Sequence, residues 1–364
     1  MVMLDLDKPA KSQYFLSKCT YCVQMHTGTD PMVDDAQHDL LAEVASLYYE
    51  LDLGQSEIGK RLGLSRVKVY RLLKKAREAQ IVQITINWPI ERDGSLEDGL
   101  CGAFGLDRAL VLKSGPQDFG PNGNGIGLRR LGQMAARHLA TTVQDGMTLA
   151  VCLGRSSYEV INAFRPITQV RVNVAQAMGS IPSLIPDLDS AALARQLASK
   201  LGGQIQLLSS PLYVNSREAA QLLRAQPAIE RTLKAARNAN IALVGVGGVN
   251  PGTSHYVDAE LISASQLKEL EAAGAVGEMG GQFIRESGEL HPCTINDCMI
   301  GLTLDELRRI PNTIAMAAGP AKVRAILGAL RSGVLNALCT DQQTAAELVR
   351  LGRTKTAPSV VLSA

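Results

Sequence analysis

Aromatic residues are scarce in this 364-residue chain, and no apolar stretch is long enough to span a bilayer. Phe, Trp and Tyr make up 4% of the residues, with one Trp, whereas apolar residues make up 46%. A membrane-spanning helix needs about 20 consecutive apolar residues, so the sequence predicts no membrane partner. The apolar fraction is ordinary for a globular protein, and the length suits two or three domains.

A strong net charge is also missing. Lys and Arg number 37 against 35 Asp and Glu, which gives a formal charge of +2. Any attraction to an acidic partner must therefore come from a local patch, not from the whole surface. The seven cysteines are an odd number scattered along the chain. This usage is typical of reduced thiols, and we expect a cytoplasmic protein.

A metal site has little support in the sequence. Cys19, Cys22 and His26 could together hold zinc, or the Cys-x-x-Cys pair could be redox-active. A second pair is absent, and no strand–helix pattern surrounds the first. We therefore predict no metal and no cofactor. Residues 1–34 are predicted to form an irregular leader, with translation starting at Met32 as an alternative.

Positive charge is concentrated in one short segment between residues 60 and 77. This segment contains no Asp or Glu, and its cationic residues are Lys60, Arg61, Arg66, Lys68, Arg71, Lys74, Lys75 and Arg77. Because the whole chain is nearly neutral, the charge belongs to a single element. Such a surface is typical of a helix that lies against nucleic-acid phosphates, although charge alone also fits a solvated helix face.

The residues around this charge predict a helix-turn-helix. Gly63 can end a first helix in the left-handed conformation, and Ser65 is placed to cap the second. Gly59 should let another helix approach closely. Apolar residues three and four positions apart predict one buried face on each helix: Ile58 and Leu62, then Val69, Leu72, Leu73 and Ala76. The second helix would offer DNA the side chains of Ser65, Arg66, Lys68, Tyr70, Arg71, Lys74 and Lys75.

The flanking patterns complete a domain scheme. A helix is predicted from Asp35 to Leu51, and alternation from Ile81 to Asn87 predicts a strand that could form the wing of a winged helix. We predict the irregular leader over 1–34, a DNA-binding domain over 35–88, a linker over 89–95 and a second domain over 96–364.

Apolar runs alternate with helical patterns in the second domain. The runs cover residues 109–112, 147–153, 170–177, 205–208, 241–246, 313–318 and 334–339. This alternation predicts a Rossmann-like, doubly wound α/β domain with a mostly parallel sheet covered on both faces. In such sheets ligands bind beyond the carboxyl ends of the strands.

Glycines and polar residues follow several of these runs, where a ligand would bind. After the run 147–153, a glycine bend, a cation and two hydroxyls precede a helix predicted to begin at Tyr158, which suits an anion. Those residues are Gly154, Arg155, Ser156 and Ser157, and the residues after three later runs are Gly247, Gly319, Lys322 and Asp341. Each alone can be an ordinary turn, but together they predict a shared pocket.

Known nucleotide-binding and nucleophile patterns are missing. No G-x-G-x-x-G opens a helix with an acid about twenty residues later, and no Walker loop is present. His255 and His291 lie in polar loops without an evident nucleophile. Glu278, in the sequence GAVGEMGG, is the best candidate for a general base, and it could equally accept hydrogen bonds from ligand hydroxyls.

From about Asp35 to Val361 the chain resembles the SorC family of transcriptional regulators. The matching segments are LYYELDLGQSEIGKRLGLSRVKVYRLLKKAREAQIVQITI near the N-terminus and then, in the expected order, GMTLAVCLGRSS, LSSPLYV, ALVGVGG, GAVGEMGGQFI, IPNTIAMAAGPAKVRAILGALRSG and NALCTDQQTA. The resemblance implies a helix-turn-helix joined to an effector domain similar to sugar-phosphate isomerases and deaminases. It also implies a homo-oligomer, usually a tetramer, that binds operator DNA and responds to a sugar, a polyol or a phosphorylated form.

Carried to this sequence, the resemblance implies DNA contacts from Ser65, Arg66, Lys68, Tyr70 and Arg71. It implies an effector pocket with Gly154, Arg155, Ser156, Ser157, Glu278, Lys322 and Asp341. Departures are modest: Gly59 replaces a usual alanine, Tyr70 a small polar residue, Glu278 an aspartate and Ser157 a threonine.

Three functions remain in view from the sequence. The first is a transcriptional regulator of a carbohydrate catabolic operon, without enzymatic activity, acting as repressor or activator according to the operator's position. The second is an enzyme of sugar-phosphate metabolism with Glu278 as general base. The third is an architectural DNA-binding protein without an effector.

Overall fold

The computed structural model describes two compact units, which divide between Asn87 and Trp88. The described residues are 35–79, 81–82, 86–115, 118–119, 125–168, 170–181 and 186–353. The predicted leader, including Cys19, Cys22, His26 and Met32, lies outside them. Within these ranges, no helix is both long and apolar enough to cross a membrane, and no cluster of three or more His, Cys, Asp or Glu could hold a metal ion.

The described residues of the first unit form three helices, α1 (Asp35–Tyr49), α2 (Gln55–Leu62) and α3 (Arg66–Glu78). The helix predicted to reach Leu51 ends at Tyr49. The three helices share one core, formed by Leu41, Val44, Ala45, Leu47, Ile58, Val69, Leu72, Leu73 and Ala76. The predicted buried stripe of α3 is therefore correct, and it leaves the basic side chains on the outside.

The turn between α2 and α3 is tight and capped at both sides. Gly63 has a φ of 67°, in the left-handed region, and the Ser65 side chain accepts a hydrogen bond from the Lys68 N–H at 3.2 Å. A Cβ on Gly59 would lie 2.6 Å from the carbonyl oxygen of Leu64. Gly59 therefore lets the turn and the first residue of α3, whose backbone N would lie 3.7 Å from that Cβ, pack closely against α2.

Residues 83–85 of the predicted wing strand lie outside the described part of the chain. Ile81 and Val82, just before them, pack against the core of the first unit.

The second unit is built on a mixed sheet, which confirms the predicted α/β fold with a parallel sheet. Its strands are β1 (Arg108–Leu112), β2 (Thr148–Val151), β3 (Asn173–Gln176), β4 (Gln204–Gln206), β5 (Ile241–Gly248), β6 (Ala275–Met279), β7 (Gln282–Arg285), β8 (Asn312–Met316) and β9 (Ala337–Asp341). Seven described strands run parallel in the order β1-β9-β8-β5-β2-β3-β4.

Helices connect the strands and cover the sheet. They are α4 (Gly94–Phe104), α5 (Ile126–Thr142), α6 (Arg155–Ala163), α7 (Ser190–Leu201), α8 (Arg217–Arg224), α9 (Pro227–Arg237), α10 (His255–Asp258), α11 (Ala264–Ala272), α12 (Thr294–Asp297), α13 (Leu304–Arg308), α14 (Val323–Arg331) and α15 (Gln342–Arg353). Successive residues of β1 alternate between two cores: Ala109 and Val111 lie in one, Leu110 and Leu112 in the other. Both faces of the sheet are therefore buried.

The strand order creates a switch point between β2 and β5. These two strands are neighbours, but β2 leads on to β3 and β4 on one side, whereas β5 leads to β8 and β9 on the other. A crevice opens at such a point beyond the carboxyl ends of the strands, where proteins of this architecture bind ligands.

An antiparallel hairpin lies beside this crevice. The last residues of β5, Val246–Gly248, pair with Gly277–Met279 of β6, and β6 pairs with β7. The first part of β5 therefore belongs to the parallel sheet, and its last part pairs with the hairpin. The sequence patterns did not predict this hairpin.

The segment predicted as a linker, 89–95, packs within the second unit. Arg92 pairs with Leu112 of β1, and its guanidinium forms a paired contact with Glu97. Asp93 caps α4 and also accepts a hydrogen bond from the Gln342 side chain at 3.0 Å. The beginning of this unit is therefore hydrogen-bonded to the first residue of the helix that follows β9, residues 342–353.

Candidate functional site

The first wall of the crevice is the start of α6, directly after β2. Gly154 has a φ of 125°, and no side chain caps the helix. The sequence predicted a helix start at Tyr158, but α6 begins at Arg155, so Arg155, Ser156 and Ser157 form its first turn. The free N–H groups of that turn make an electropositive end suited to an anion.

The side chains of this turn differ in exposure. Arg155 is exposed and forms no ion pair with any described residue. Ser156 and Ser157 are buried, and the Ser157 Oγ has no hydrogen-bond partner in the described part of the chain. A buried hydroxyl without a protein partner is uncommon in folded proteins, so the Ser157 Oγ is a candidate ligand contact.

The second wall is formed by the end of β5 and the hairpin. A Cβ on Gly247 would lie 2.3 Å from Oε1 of Glu278, so glycine is what allows the carboxylate to lie against this strand. The other oxygen, Oε2, accepts a hydrogen bond from the Tyr256 hydroxyl at 2.8 Å and from the Gly281 N–H at 3.3 Å.

Glu278 is mostly buried, and its burial raises the pKa of the carboxyl group. The hydrogen bonds from Tyr256 and Gly281 and the charge of Lys322 act in the opposite direction. Burial together with Glu278 also raises the pKa of the Cys152 thiol to about 12. Because Cys152 follows β2 directly, the hairpin carboxylate lies near the switch point.

Lys322 supplies a cation from the loop after β8. Its Nζ donates a hydrogen bond to the Val246 carbonyl at 3.0 Å. Burial lowers its pKa, the nearby Glu278 carboxylate opposes that effect, and Arg155 adds to it. Lys322 is therefore electrostatically coupled to both walls of the crevice.

His255, which the sequence analysis placed in a polar loop and did not count among the effector residues, also lies at this candidate site. It begins α10 and lines a small cavity with Leu153, Ile181, Leu188 and Asp189. Burial and the charges of Arg155 and Lys322 lower the pKa of the imidazole, against an opposing effect of Asp258. The only sequence signal was its place shortly after the glycine-rich end of β5.

Asp341 stabilises the fold beside the candidate site. It is 1% exposed, and its oxygens accept hydrogen bonds from the Thr344 N–H at 3.0 Å and the Gly319 N–H at 2.8 Å. The Thr344 hydroxyl donates to it as well. Asp341 and Gly319, whose φ is 100°, thus fix the loop that carries Lys322, and both carboxylate oxygens are already occupied.

The structure therefore brings together most of the predicted effector residues. Arg155, Lys322, Glu278 and Gly247 surround the switch point, and Gly154 begins the helix that points toward it. Gly319 and Asp341 hold a neighbouring loop. The predicted DNA-contacting residues lie in the first unit, and all seven are exposed: Ser65, Arg66, Lys68, Tyr70, Arg71, Lys74 and Lys75.

Comparisons with known proteins connect this architecture to a family. Residues 89–350 match the family model described as "Putative sugar-binding domain". The transcriptional regulator LsrR of Enterobacter sp. (strain 638) is 32% identical over 326 residues, covering 86% of this chain and 94% of the relative. LsrR of Klebsiella pneumoniae subsp. pneumoniae is 33% identical, covering 87% and 94%.

Solved structures show the same fold. A sugar-binding domain of a transcriptional repressor from Vibrio fischeri has a TM-score of 0.65 and 29% identity, covering 72% of this chain and 100% of that one. The full-length sorbitol operon regulator SorC from Klebsiella pneumoniae has a TM-score of 0.62 and 24% identity, covering 86% and 99%.

The parallel sheet, its switch-point crevice and the matching family model define a sugar-binding domain of the type that transcriptional regulators carry. The chain belongs to the family of sugar-binding transcriptional regulators that includes LsrR and SorC. The predicted family is thus confirmed.

Proposed function

We propose that this protein is a DNA-binding transcriptional regulator of a carbohydrate catabolic operon, controlled by a phosphorylated sugar or polyol. The observation that carries the proposal is the convergence of Arg155, His255 and Lys322 at the switch point, around an uncapped helix start. The charge of Arg155 lowers the pKa of both His255 and Lys322, and a bound anion would favour the cationic forms of these side chains.

The phosphate of the effector would lie at the start of α6. Its oxygens would accept hydrogen bonds from the free N–H groups of the first turn and from Arg155, with Ser156 and Ser157 adding hydroxyls. The unpaired Ser157 Oγ supports this assignment. His255 and Lys322 would complete the charge balance from the opposite side.

The carbohydrate hydroxyls would bind toward the hairpin. Glu278 is a strong acceptor whose position is fixed by Tyr256 and Gly281. A sugar hydroxyl could donate to this carboxylate and accept from Lys322 Nζ. Gly247 supports this arrangement by leaving room for the carboxylate.

DNA binding is assigned to α2 and α3, which we interpret as a helix-turn-helix, part of a winged domain. The Gly63 turn, the Ser65 cap and the exposed cations of α3 support this assignment. Effector control then requires that the ligand binds the DNA-competent and DNA-incompetent states with different affinities. We further propose a cytoplasmic homo-tetramer without a cofactor, and an effector domain similar to sugar-phosphate isomerases and deaminases.

The direct test is fluorescence anisotropy with the full chain and DNA from the region upstream of its gene. Scrambled DNA serves as the control, salt is held constant, and sugars, polyols and their phosphates are added in turn. We expect the protein to bind one fragment more tightly than scrambled DNA. We also expect one phosphorylated carbohydrate to change the affinity for that fragment. Binding equal to that of scrambled DNA and unaffected by every compound would contradict the proposal.

Arg155→Ala tests the phosphate subsite. We expect it to weaken the phosphorylated effector by about 1.5–3 kcal/mol, the usual contribution of a charged hydrogen bond. Isothermal titration calorimetry measures this change. Arg195→Ala, another arginine of the second unit, is the matched control. Equal effector affinity in wild type and Arg155→Ala would contradict a phosphate at α6.

An enzyme is the second candidate, because a buried carboxyl with a raised pKa in a crevice is typical of a general base. Glu278→Gln separates the two functions. In a regulator we expect it to keep DNA binding and to lose response to the effector. An enzyme would instead lose turnover of sugar phosphates, measured by NMR. Turnover by the wild type that disappears in Glu278→Gln would favour the enzyme.

A further inference from the structure

Two apolar side chains are exposed among the cations of α3. Val67 is 59% exposed and Tyr70 is 52% exposed. Single exposed apolar residues are ordinary on protein surfaces. These two are neighbours on one helix, however, and valine is a weaker helix former than the straight-chain residues that usually occupy such surface positions. Neither helix stability nor the core of the unit accounts for Val67.

The geometry of α3 places Val67 on its outermost face. At about 100° per residue, Val67 lies about 160° around the helix from Val69, which is fully buried at the centre of the apolar stripe. Tyr70 and Arg71 follow Val67 by three and four residues, so they are its neighbours on the same surface. The apolar side chain of Val67 thus lies beside the Tyr70 ring and the Arg71 guanidinium.

Val67 also lies in the first turn of α3. Ser65 caps the helix by accepting from Lys68, which puts Val67 within the capped turn. In a helix-turn-helix the first turns of the second helix contact base edges in the major groove. The exposed cations Arg66, Lys68 and Arg71 surround Val67 and match the charge of DNA.

We infer that Val67 is a specificity-determining residue that packs against the C5-methyl group of a thymine in the operator, with Tyr70 closing one side of the contact. The inference rests on the proposed function and adds a contact that the cations cannot provide. The thymine methyl is the apolar feature of base edges in the major groove, whereas phosphates and guanine edges offer acceptors that suit Arg and Lys.

The experiment is a uracil scan of the DNA fragment that wild-type protein prefers. Each thymine is replaced in turn by uracil, which removes only the methyl group, and affinity is measured by fluorescence anisotropy for the full chain. We expect one position at which the wild type loses about fourfold in affinity, equivalent to one buried methyl group. Val67→Ala should bind the unmodified fragment correspondingly less well and show no further loss at that position.

Two control variants keep the test specific. Leu51→Ala removes a side chain of similar exposure, 57%, from the same unit but outside α3, and it should keep the wild-type uracil profile. Val67→Thr retains one methyl and should keep part of the sensitivity. Since alanine forms helices better than valine, a circular dichroism spectrum equal to that of wild type is expected for Val67→Ala.

The outcomes separate this inference from the proposed function. A preferred fragment whose affinity is insensitive to every thymine methyl would overturn the inference and leave the DNA-binding function standing. A sensitive position that stays equally sensitive in Val67→Ala would overturn it too. If the protein prefers no fragment over scrambled DNA, the proposed function fails, and the inference fails with it.

Discussion

Replacing Lys322 by Met is expected to weaken effector binding about 10- to 150-fold, the equivalent of about 1.5–3 kcal/mol for a charged hydrogen bond. Lys322 is the cation that is coupled both to Arg155 and to Glu278. Methionine keeps the approximate length of the side chain and removes the charge. Glu278 then loses its stabilising cation, so the pKa of its carboxyl group should rise further and its strength as an acceptor should fall.

This variant should remain folded, because it removes the cost of holding an ammonium group in a mostly buried place. Lys268→Met, a substitution of an exposed lysine of the second unit, is the matched control. Effector affinity is measured by isothermal titration calorimetry, and DNA affinity without effector by anisotropy. Lys322→Met with unchanged effector affinity would place the ligand elsewhere.

Replacing Asp341 by Ala is expected to lower the free energy of unfolding of the second unit by about 2–4 kcal/mol. The change leaves the Thr344 N–H and the Thr344 hydroxyl without their buried acceptor, whereas the Gly319 N–H keeps its hydrogen bond to the Thr344 Oγ. Each unsatisfied buried donor costs about 1–3 kcal/mol. Asp341→Asn keeps one carbonyl oxygen and should cost roughly half as much.

Urea unfolding followed by tryptophan fluorescence is the suitable measurement. Trp88 is the only tryptophan of the chain, and it belongs to the second unit, so the signal reports that unit. A transition of Asp341→Ala within about 0.5 kcal/mol of wild type, the range usual for surface substitutions, would contradict the structural position of Asp341.

Much of the fold could be predicted because local chemistry and tertiary structure agree. In the first unit, Gly63 and Ser65 have the conformations that their residue types favour, and Val69 and Leu73 bury the expected stripe. In the second, the apolar runs became parallel strands because both faces of the sheet are covered, so the runs needed no alternation.

The hairpin was not predicted for an equally physical reason. Its glycines, at positions 274, 277, 280 and 281, weaken strand propensity and are typical of turns. Gly277 is nevertheless required in β6, since a Cβ there would lie 2.5 Å from the Gly247 carbonyl oxygen. Close approach of two backbones depends on tertiary pairing, which the local pattern does not contain.

The placement of the candidate site residues could be predicted better than the contacts that each one makes. Gly154, Arg155 and Lys322 follow strand ends, and strand ends share one edge in a parallel sheet, so their convergence could be expected. Asp341 is the last residue of β9, but its oxygens accept hydrogen bonds from Gly319 and Thr344. His255 was missed because its place depends on how α10 folds back from β5, which spacing alone does not give.

The Gln342–Asp93 hydrogen bond connects the Lys322 loop to the start of the second unit. Lys322 follows Gly319 by three residues, Gly319 is held by Asp341, and the next residue, Gln342, is held by Asp93. Asp93 lies five residues after Trp88, where the chain enters the second unit. A ligand that contacts Lys322 would therefore bind a loop whose hydrogen bonds continue through Asp341 and Gln342 to Asp93, close to the point where the second unit begins.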